Sequence, residues 1–423
     1  MTPTRALLFT LIIAATQARA QFCPLGETER RIVTCRAEIS MAVCRAAARK
    51  VGCSVVRELK LVHAVVIEVP AGRVTAAAAD RAPDSPIDRV DADRKVRWLH
   101  SLPEFNSSAV DADELTRRIK ELQSSLPASA GAQPRIPWGV QRVGAPQAWA
   151  KTQGAGAAVA VIDTGIDSTH PDLAGQVAGG VNILDPQHPD NWKDDEGHGT
   201  HVAGTIAGNG LNGGLAGVAP KAKLYAVKVL DKDGNGNYSD VIAGIEWAMN
   251  HGIKIANMSL GADEGSDPLH RAVQAALAKG MIIVAAAGNT GGPVGYPGAY
   301  PEAIAVGASD SSDHAAAFSS RGPQVAYIAP GVDILSLKMG GGYVSLSGTS
   351  MASPHISGLA ALAMAEGANT PSALRAALDK AARPIKGLTP DLEGLGMVLA
   401  GDLVGEFPGP LAAAGGAALA MAR

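Results

Sequence analysis

Aromatic residues are scarce in this chain of 423 residues, since Phe, Trp and Tyr together make up only 4% of it. Charged residues make up 18%, and the formal net charge is only −3. The lack of a basic excess argues against nucleic acid as a partner. With 47% hydrophobic residues the chain is neither mostly disordered nor a coiled coil. We therefore expect two or three globular domains whose core is built largely from small residues.

Cysteine is absent after position 53, because all four cysteines lie early: Cys23, Cys35, Cys44 and Cys53. No catalytic thiol is therefore available in the rest of the chain. An even number in an exported segment predicts two disulfides, with three possible pairings. Zinc is a weaker alternative, since no Cys-x-x-Cys pair occurs and His63 is the only nearby histidine.

Apolar runs long enough to span a membrane are also missing. Residues 6–15 are apolar, follow Arg5 and precede Ala18-Arg19-Ala20. This order is typical of a secretory signal peptide over residues 1–20, although a buried N-terminal helix is the alternative. The Ala/Gly-rich tail at 406–423 is too weakly hydrophobic for a span. We expect a secreted protein, extracellular or periplasmic, with no membrane span.

The remaining chain divides into three parts. Residues 21–100 have the pattern of a small α+β unit, and residues 101–135 that of a linker open to proteolysis. From 136 to 405, strands and helices alternate, which predicts a parallel sheet covered by helices on both sides. The apolar runs that predict strands are 159–162, 224–229, 253–258 and 282–286; helix-like segments lie at 36–50, 201–207, 240–250 and 269–279.

Two polar residues stand next to predicted elements of this sheet. Asp163 closes the first strand in "VIDTGID", at the sheet edge where catalytic groups gather, although a cap or turn would also explain it. His198 opens a small-residue helix in "GHGTHVAG", where a structural histidine is the alternative. A metal pair with His201 lacks a third ligand at suitable spacing. The acidic run 194–196 has the character of a solvated loop.

Two further residues add candidate chemistry. Asn289 ends a strand in "AAAGN", where its amide could stabilise an oxyanion or simply form a turn. Ser350 opens an apolar helix in "GTSMASPHISG". There it could act as an N-cap, or expose its hydroxyl beside backbone N–H groups that face a developing anion.

In the order Asp, His, Asn, Ser, these segments resemble the subtilisin-like serine proteases, or subtilases, a family in which this order of catalytic residues is long known. Further matching segments between 136 and 405 include "NMSLG", "VGYPGAYPEAIAVGA" and "APGVDILS". A nucleotide-binding α/β protein is disfavoured, because no Gly-x-Gly-x-x-Gly follows the first strand and no Gly-Lys-Ser loop occurs.

The resemblance implies a subtilisin-like three-layer α/β fold with a mainly parallel sheet, preceded by a small α+β inhibitory propeptide domain. It implies a triad of Asp163, His198 and Ser350, with Asn289 in the oxyanion hole. The activity would be that of a serine endopeptidase made as an autoprocessed zymogen, which works through an acyl-enzyme. The residues it places along the substrate groove are Ser259, Leu260, Gly261, Ala286, Ala287, Gly288, Gly295, Gly234, Asn235 and Gly236.

The small residues of this groove predict a preference for Phe, Tyr, Leu or Met before the cut. The expected partners are protein or peptide substrates and the chain's own propeptide, and we expect a monomer. The chemistry requires no cofactor. Asp172 in "THPDL" matches a calcium-binding acid of many subtilisins, but the glycine-rich loop 208–215 places its Asn residues off the family pattern, so a structural calcium stays open. The alternative function is that of a catalytically idle relative that binds peptides or acts as an inhibitor.

Overall fold

The computed structural model describes residues 27–71, 85–99 and 133–405, which form two compact units. The first unit takes the described residues up to Glu58 and those from His63 to Ala92. The second takes Leu59–Val62 and everything from Asp93 onward. The predicted signal peptide, nearly all of the predicted linker and the C-terminal tail lie outside the described residues.

The first unit is a sheet of four strands with one helix. The strands follow the order β2-β3-β1-β4, with β1 antiparallel to both neighbours. Helix α1 begins after Ser40, whose side chain caps it by accepting the N–H of Val43, so the helix starts later than the predicted 36. The elements are β1 (Thr28–Cys35), α1 (Met41–Val51), β2 (Ser54–Leu59), β3 (Ala64–Pro70) and β4 (Ile87–Ala92).

Disulfides are present in this unit, as predicted. Cys35 at the end of β1 is bonded to Cys44 in α1, and Cys53 is disulfide-bonded as well. Cys44 also packs with Val65 and Ile67 of β3 in the buried core. A zinc site on these cysteines is therefore excluded. Cys23 lies outside the described residues.

The second unit contains a nine-stranded sheet in the order β16-β17-β13-β12-β11-β10-β6-β8-β7. Neighbouring strands run parallel, except for the antiparallel pair β16 and β17. All four predicted strands are present. The strands are β6 (Ala158–Asp163), β7 (Val177–Asn182), β8 (Lys223–Lys228), β10 (Ile255–Met258), β11 (Ile282–Ala286), β12 (Ile304–Ser309), β13 (Val325–Pro330), β16 (Ala382–Arg383) and β17 (Met397–Val398).

Helices cover both faces of this sheet, which confirms the predicted α/β class. Val159 and Val161 of β6 share one apolar core with α4 and α7. Gly244 of α5 lies instead against Ile162 and Val227, whose side chains point to the opposite face. The helices are α2 (Trp138–Arg142), α3 (Ala145–Ala148), α4 (His198–Ala207), α5 (Tyr238–Asn250), α6 (Asp267–Ala278), α7 (Thr349–Ala365), α8 (Pro371–Ala381), α9 (Pro390–Glu393) and α10 (Ala400–Val404).

Two short antiparallel pairs complete the second unit. One is the hairpin of β14 (Ile334–Leu337) and β15 (Tyr343–Leu346), and the other joins β5 (Lys95–Arg97) to β9 (Asn235–Asn237). Across the described ranges, no helix has the length and apolar character that crossing a bilayer requires.

Candidate active site

Asp163 and His198 meet at the carboxyl edge of the large sheet. Asp163 is the last residue of β6 and is fully buried, while His198 is the first residue of α4. His198 Nδ1 lies 2.8 Å from Asp163 Oδ1 and 3.0 Å from Oδ2. The backbone N–H of Thr164 also donates to Asp163 Oδ1 at 2.7 Å. These contacts orient the imidazole and leave Nε2 as its remaining proton-accepting atom.

The carboxylate beside His198 also sets its protonation. Burial acts to lower the pKa of His198, but the charge of Asp163 and the hydrogen bond to it raise the pKa further than burial lowers it. The charges of Glu196 and Asp194 add to this rise, so the net pKa lies above 6.5. A higher pH than for an ordinary imidazole is therefore needed before the ring is neutral and able to accept a proton.

The acidic run before His198 is not a solvated loop throughout, and that expectation is wrong for Asp194. Its carboxylate is buried and accepts the hydroxyl of Thr164 at 2.9 Å and the hydroxyl of Thr200 at 2.6 Å. It also accepts the backbone N–H groups of Glu196 and Gly197. Asp194 thus joins the segment after Asp163 to the start of α4. No sequence motif indicates that Asp194 would contact these partners.

Lys228 is a second residue that the sequence did not reveal. It is buried at the end of β8, and its ammonium donates to the carbonyls of Thr164 at 2.6 Å and Leu230 at 2.9 Å. It also forms an ion pair with Asp195 at 2.6 Å. One cation therefore holds together the chain segments that follow β6, precede α4 and follow β8.

Ser350 lies at the N-terminal end of α7, directly after Thr349. Its hydroxyl donates to the backbone carbonyl of Ser259 at 3.0 Å. In the part of the chain that the structure describes, no hydrogen bond joins this hydroxyl to His198. A hydrogen bond between this hydroxyl and the imidazole would require the hydroxyl to turn away from Ser259. Loose contacts of this kind are common in enzymes without substrate.

Asn289 is held in a single orientation by Thr349. The side-chain oxygen of Asn289 accepts the Thr349 N–H and hydroxyl, both at 2.9 Å. The Thr349 hydroxyl oxygen in turn accepts the N–H of Gly288 at 3.0 Å. With its oxygen occupied, Asn289 has its amide N–H groups available near the start of the helix that carries Ser350, since no described residue accepts a hydrogen bond from them. Thr349 was not predicted, although it stands within the "GTSMASPHISG" segment.

The predicted groove residues follow neighbouring strands. Ser259–Gly261 come after β10, and 286–288 end and follow β11, which pairs with β10. Gly295 bridges the two segments: its N–H donates to the carbonyl of Ala287 at 2.9 Å, and the next residue, Tyr296, pairs with Ala262. Backbone hydrogen bonds thus connect the segments that carry Ser259, Leu260, Gly261, Ala286, Ala287, Gly288 and Gly295, and the Ser259 carbonyl accepts the hydroxyl of Ser350.

Gly234, Asn235 and Gly236 form a separate edge, in and beside β9. This edge is paired with β5 of the same unit. Beyond β5, the N–H of Trp98 donates to the carbonyl of Gly234 at 2.9 Å, and the Trp98 carbonyl accepts the Gly261 N–H at 3.1 Å. An extended segment of the chain therefore already lies between two of the predicted groove edges.

Asp172 lies away from these residues, and its surroundings do not fit a calcium ion. One oxygen of its carboxylate accepts the Leu215 N–H at 2.7 Å and the Tyr343 hydroxyl at 2.8 Å. Calcium needs six to eight oxygen ligands, whereas these neighbours present hydrogen atoms. Among the described residues, no three His, Cys, Asp or Glu side chains gather as a metal-ligand set. The structure therefore does not support the calcium expectation at Asp172.

A buried aspartate bonded to a helix-initial histidine at the edge of a parallel sheet, with a serine at the start of a helix that packs against the histidine's own helix, has the components of a serine hydrolase. Comparison with known proteins narrows this class. Residues 154–398 match the model of the Subtilase family, peptidase S8. The chain belongs to this subtilase family of serine endopeptidases.

Relatives from several bacteria are similar over the same region. M-protease of Shouchella clausii (strain KSM-K16) is 46% identical over 261 residues, which cover 61% of this chain and 67% of that protein. Subtilisin Savinase of Lederbergia lenta is 49% identical over 229 residues, or 54% of this chain and 83% of that protein. Subtilisin E of Bacillus subtilis (strain 168) is 47% identical over 237 residues, or 55% and 61%.

Proposed function

We propose that this chain is a secreted endopeptidase that hydrolyses peptide bonds with Asp163, His198 and Ser350 as its triad. The observation that carries the proposal is the contact of His198 Nδ1 with the buried carboxylate of Asp163, at 2.8 and 3.0 Å. It leaves Nε2 free to act as the base for a serine at a helix N-terminus. The subtilisins and alkaline proteases among its relatives support the same activity.

In the proposed reaction, Ser350 Oγ passes its proton to His198 Nε2 and attacks the carbonyl carbon of the substrate. Asp163 holds the Nδ1–H and stabilises the imidazolium that forms. The negative oxygen of the tetrahedral intermediate accepts hydrogen bonds from the Asn289 side chain and the Ser350 N–H. His198 then gives its proton to the leaving amine, which produces an ester on Ser350. Water, deprotonated by His198, hydrolyses this ester by the same steps.

The oxyanion interaction has a known scale. Loss of one such donor costs about 2.7–4 kcal/mol of transition-state stabilisation, a range measured for the corresponding amide of a subtilisin. Thr349 would act here as a positioning residue, because it holds the Asn289 oxygen from two sides.

Residues 21–100 are proposed as a Cys-bearing segment followed, from about residue 50, by an inhibitory propeptide; residues 101–135 as the linker that carries the maturation site; and residues 136–405 as the catalytic domain. Support comes from residues 93–99, which pair with β9 and with Gly261 at the groove. The buried carboxylate of Asp93 also accepts the N–H and hydroxyl of Ser239, at 2.9 and 2.7 Å, in the first turn of α5. We expect self-cleavage between residues 99 and 135, for example after Leu99 or Leu126, the latter outside the described residues.

A preference for large apolar residues before the cut follows from the resemblance to subtilisins. The backbone segments 259–261 and 286–288 would form the walls of the pocket and Gly295 its floor, and an unpaired Lys or Arg would be costly to bury there. A large apolar side chain would gain about 1.5–3 kcal/mol from burial. We also propose export by the N-terminal signal, to the periplasm or outside the cell, and action as a monomer.

The test compares the full chain with its Ser350→Ala variant, by intact mass and by labelling with a fluorophosphonate probe. We expect the unmodified chain to shorten and take the label, and the variant to do neither. A His198→Ala variant should also lose nearly all turnover, and the double variant should be little worse, as is known for triads that act as a unit. Identical processing of both chains without labelling would favour the catalytically idle, peptide-binding relative.

A further inference from the structure

The segment before Trp98 shows how an extended peptide lies on β9. Lys95, Val96 and Arg97 pair antiparallel with β9, and the Trp98 backbone bonds to both groove edges, at Gly234 and Gly261. Main-chain pairing of this kind accepts any sequence. Side chains of the bound strand are then placed at fixed positions along the groove.

Trp98 sets the register of this strand. Its side chain is only 1% exposed. The ring packs edge-on against Tyr238, with centroids 4.9 Å apart, and its indole N–H donates to the carbonyl of Gly236 at 2.9 Å. Because the ring occupies one closed position, the residues before it cannot slide along β9.

In this register, Lys95 reaches a carboxylate that is already oriented. Its ammonium lies 2.8 Å from Asp231 Oδ2. The other oxygen, Oδ1, accepts the backbone N–H groups of Asp233 and Asn235 at 3.0 and 2.9 Å. The loop between β8 and β9 therefore holds Asp231 in place, so a bound cation loses only its own side-chain freedom.

Arg94 reaches a second carboxylate, that of Glu264 beyond β10. Both side chains are more exposed than Asp231, at 59% for Arg94 and 71% for Glu264. The two acids therefore lie on different chain segments and contact two successive residues, Arg94 and Lys95, at the start of the same extended segment. Glu264 was not among the groove residues expected from sequence.

We propose that Asp231 and Glu264 are specificity-determining residues that favour substrates with basic side chains three and four residues before an aromatic one. The preferred substrates would therefore be cationic polypeptides. This preference adds to the proposed preference for apolar residues directly before the cleaved bond. This proposal rests on the proposed endopeptidase function. The charges act on the upstream part of the substrate, away from the bond that is broken.

The expected effect is modest because the ion pairs are partly exposed. Such pairs change an equilibrium by about two- to fivefold. The effect of Asp231 should be about fivefold, since its loop orients the carboxylate, and the effect of Glu264 should be about twofold. Screening by salt should reduce both effects, because exposed charges are attenuated within about 10 Å at roughly 0.1 M salt.

The test uses quenched fluorescent peptides with the sequence Arg-Lys-Val-Arg-Trp-Leu-His-Ser-Leu of residues 94–102. Matched peptides carry norleucine or Glu at the Lys95 position, or Gln at the Arg94 position. The enzyme is produced from the full chain, and its active fraction is counted by fluorophosphonate titration. The variants are Asp231→Asn and Glu264→Gln. The control is Asp391→Asn, which removes an exposed charge at α9, beside the opposite edge of the sheet.

We expect kcat/KM to favour Lys over norleucine by about two- to fivefold, and over Glu by more. Asp231→Asn should bring the Lys-to-norleucine ratio close to one, whereas Asp391→Asn should leave the ratio as it is. In the unmodified enzyme, raising NaCl from about 20 to 500 mM should reduce the ratio, which tests the charge effect even where a variant folds poorly.

Two contrary results are distinguishable. Equal cleavage of the Lys and norleucine peptides at low salt, or a preference that Asp231→Asn leaves intact, would overturn the specificity proposal while the endopeptidase function stands. A failure to cleave any of these peptides or unfolded casein, in protein that takes no fluorophosphonate label, would overturn the proposed function and this inference with it.

Discussion

Two buried histidines, His201 in α4 and His355 in α7, make the stability of the second unit depend on pH. Both are fully buried. His201 Nε2 donates to the Ile334 carbonyl and His355 Nδ1 to the Met351 carbonyl, each at 2.9 Å. The second nitrogen of each ring has no hydrogen-bond partner among the described residues. A proton added there would create a buried charge without an acceptor.

Burial therefore lowers the pKa of both rings, to about 3 for His201 and about 4 for His355, from 6.5 in the unfolded chain. The hydrogen bonds to Ile334 and Met351 offset only part of this. Between 6.5 and those lowered values, the unfolded chain binds two protons that the folded chain does not. Because protons then favour the unfolded state, stability is lost as the pH falls through this window.

The size of this loss follows from the two shifts. Each histidine changes the free energy of unfolding by about 1.36 kcal/mol per pH unit in the window, so the pair contributes a slope of about 2.7 kcal/mol per unit. At about pH 5 the combined loss is roughly 4 kcal/mol. A typical domain has only about 5–15 kcal/mol of stability, so this loss alone would bring many domains close to unfolding.

The assay is denaturant unfolding of the Ser350→Ala full chain, which cannot digest itself, at several pH values between about 5 and 8. Other groups titrate here too: the pKa of His198 is raised, so its contribution has the opposite sign. The comparison is therefore between variants. The His355→Gln variant should reduce the slope of unfolding free energy against pH by about 1.36 kcal/mol per pH unit, which corresponds to one proton fewer taken up on unfolding. His314→Gln, which removes a side chain that is 77% exposed, serves as the matched control.

The reasoning would be refuted if His355→Gln and His314→Gln had the same slope as the parent chain. Where His355→Gln folds too poorly for this comparison, NMR of the histidine rings in the parent provides a second measurement. Two rings should remain neutral at about pH 5. Protonation of every ring by that pH would contradict the assignment.

Two further predictions concern the site, and a third concerns Asp172. The value of kcat/KM should increase with pH, with a midpoint above that of an ordinary histidine, since burial lowers the pKa of His198 but its aspartate partner raises it more. The Glu196→Gln variant should lower this midpoint, because it removes a nearby negative charge. An unchanged midpoint in that variant would count against the effect of Glu196 on His198. A Gly295→Val variant should shift cleavage in a peptide library towards small residues, because a Cβ there already lies 3.2 Å from a carbonyl oxygen; best cleavage after Lys or Arg, unchanged by the variant, would contradict the pocket. A chelator should leave the melting temperature unchanged. The Tyr343→Phe variant should lower the free energy of unfolding by about 1–3 kcal/mol, because it removes a hydrogen bond to the Asp172 carboxylate. A lower melting temperature in the presence of chelator would restore the calcium expectation.

The amino-acid sequence by itself determined the fold class and the candidate catalytic residues. Short apolar runs were sufficient for the strands of the parallel sheet, because buried parallel strands are apolar on both faces. Asp163, His198, Asn289 and Ser350 each stand at the end of one element inside a short contiguous segment, and the resemblance of these segments to the subtilases identified them as one candidate set. Such local signals need no knowledge of distant contacts.

Only the tertiary structure decided what the remaining charged groups do. Asp194 belongs to an acidic run that has the composition of a solvated loop, yet it is buried among donors from two other segments. Asp172 resembles a metal ligand in sequence, but Tyr343, far along the chain, donates to it. Asp231 faces Lys95 only because a strand well before it in the chain pairs with β9. The state of a carboxylate depends on which donors surround it, and those donors come from residues that are neighbours only in the folded chain.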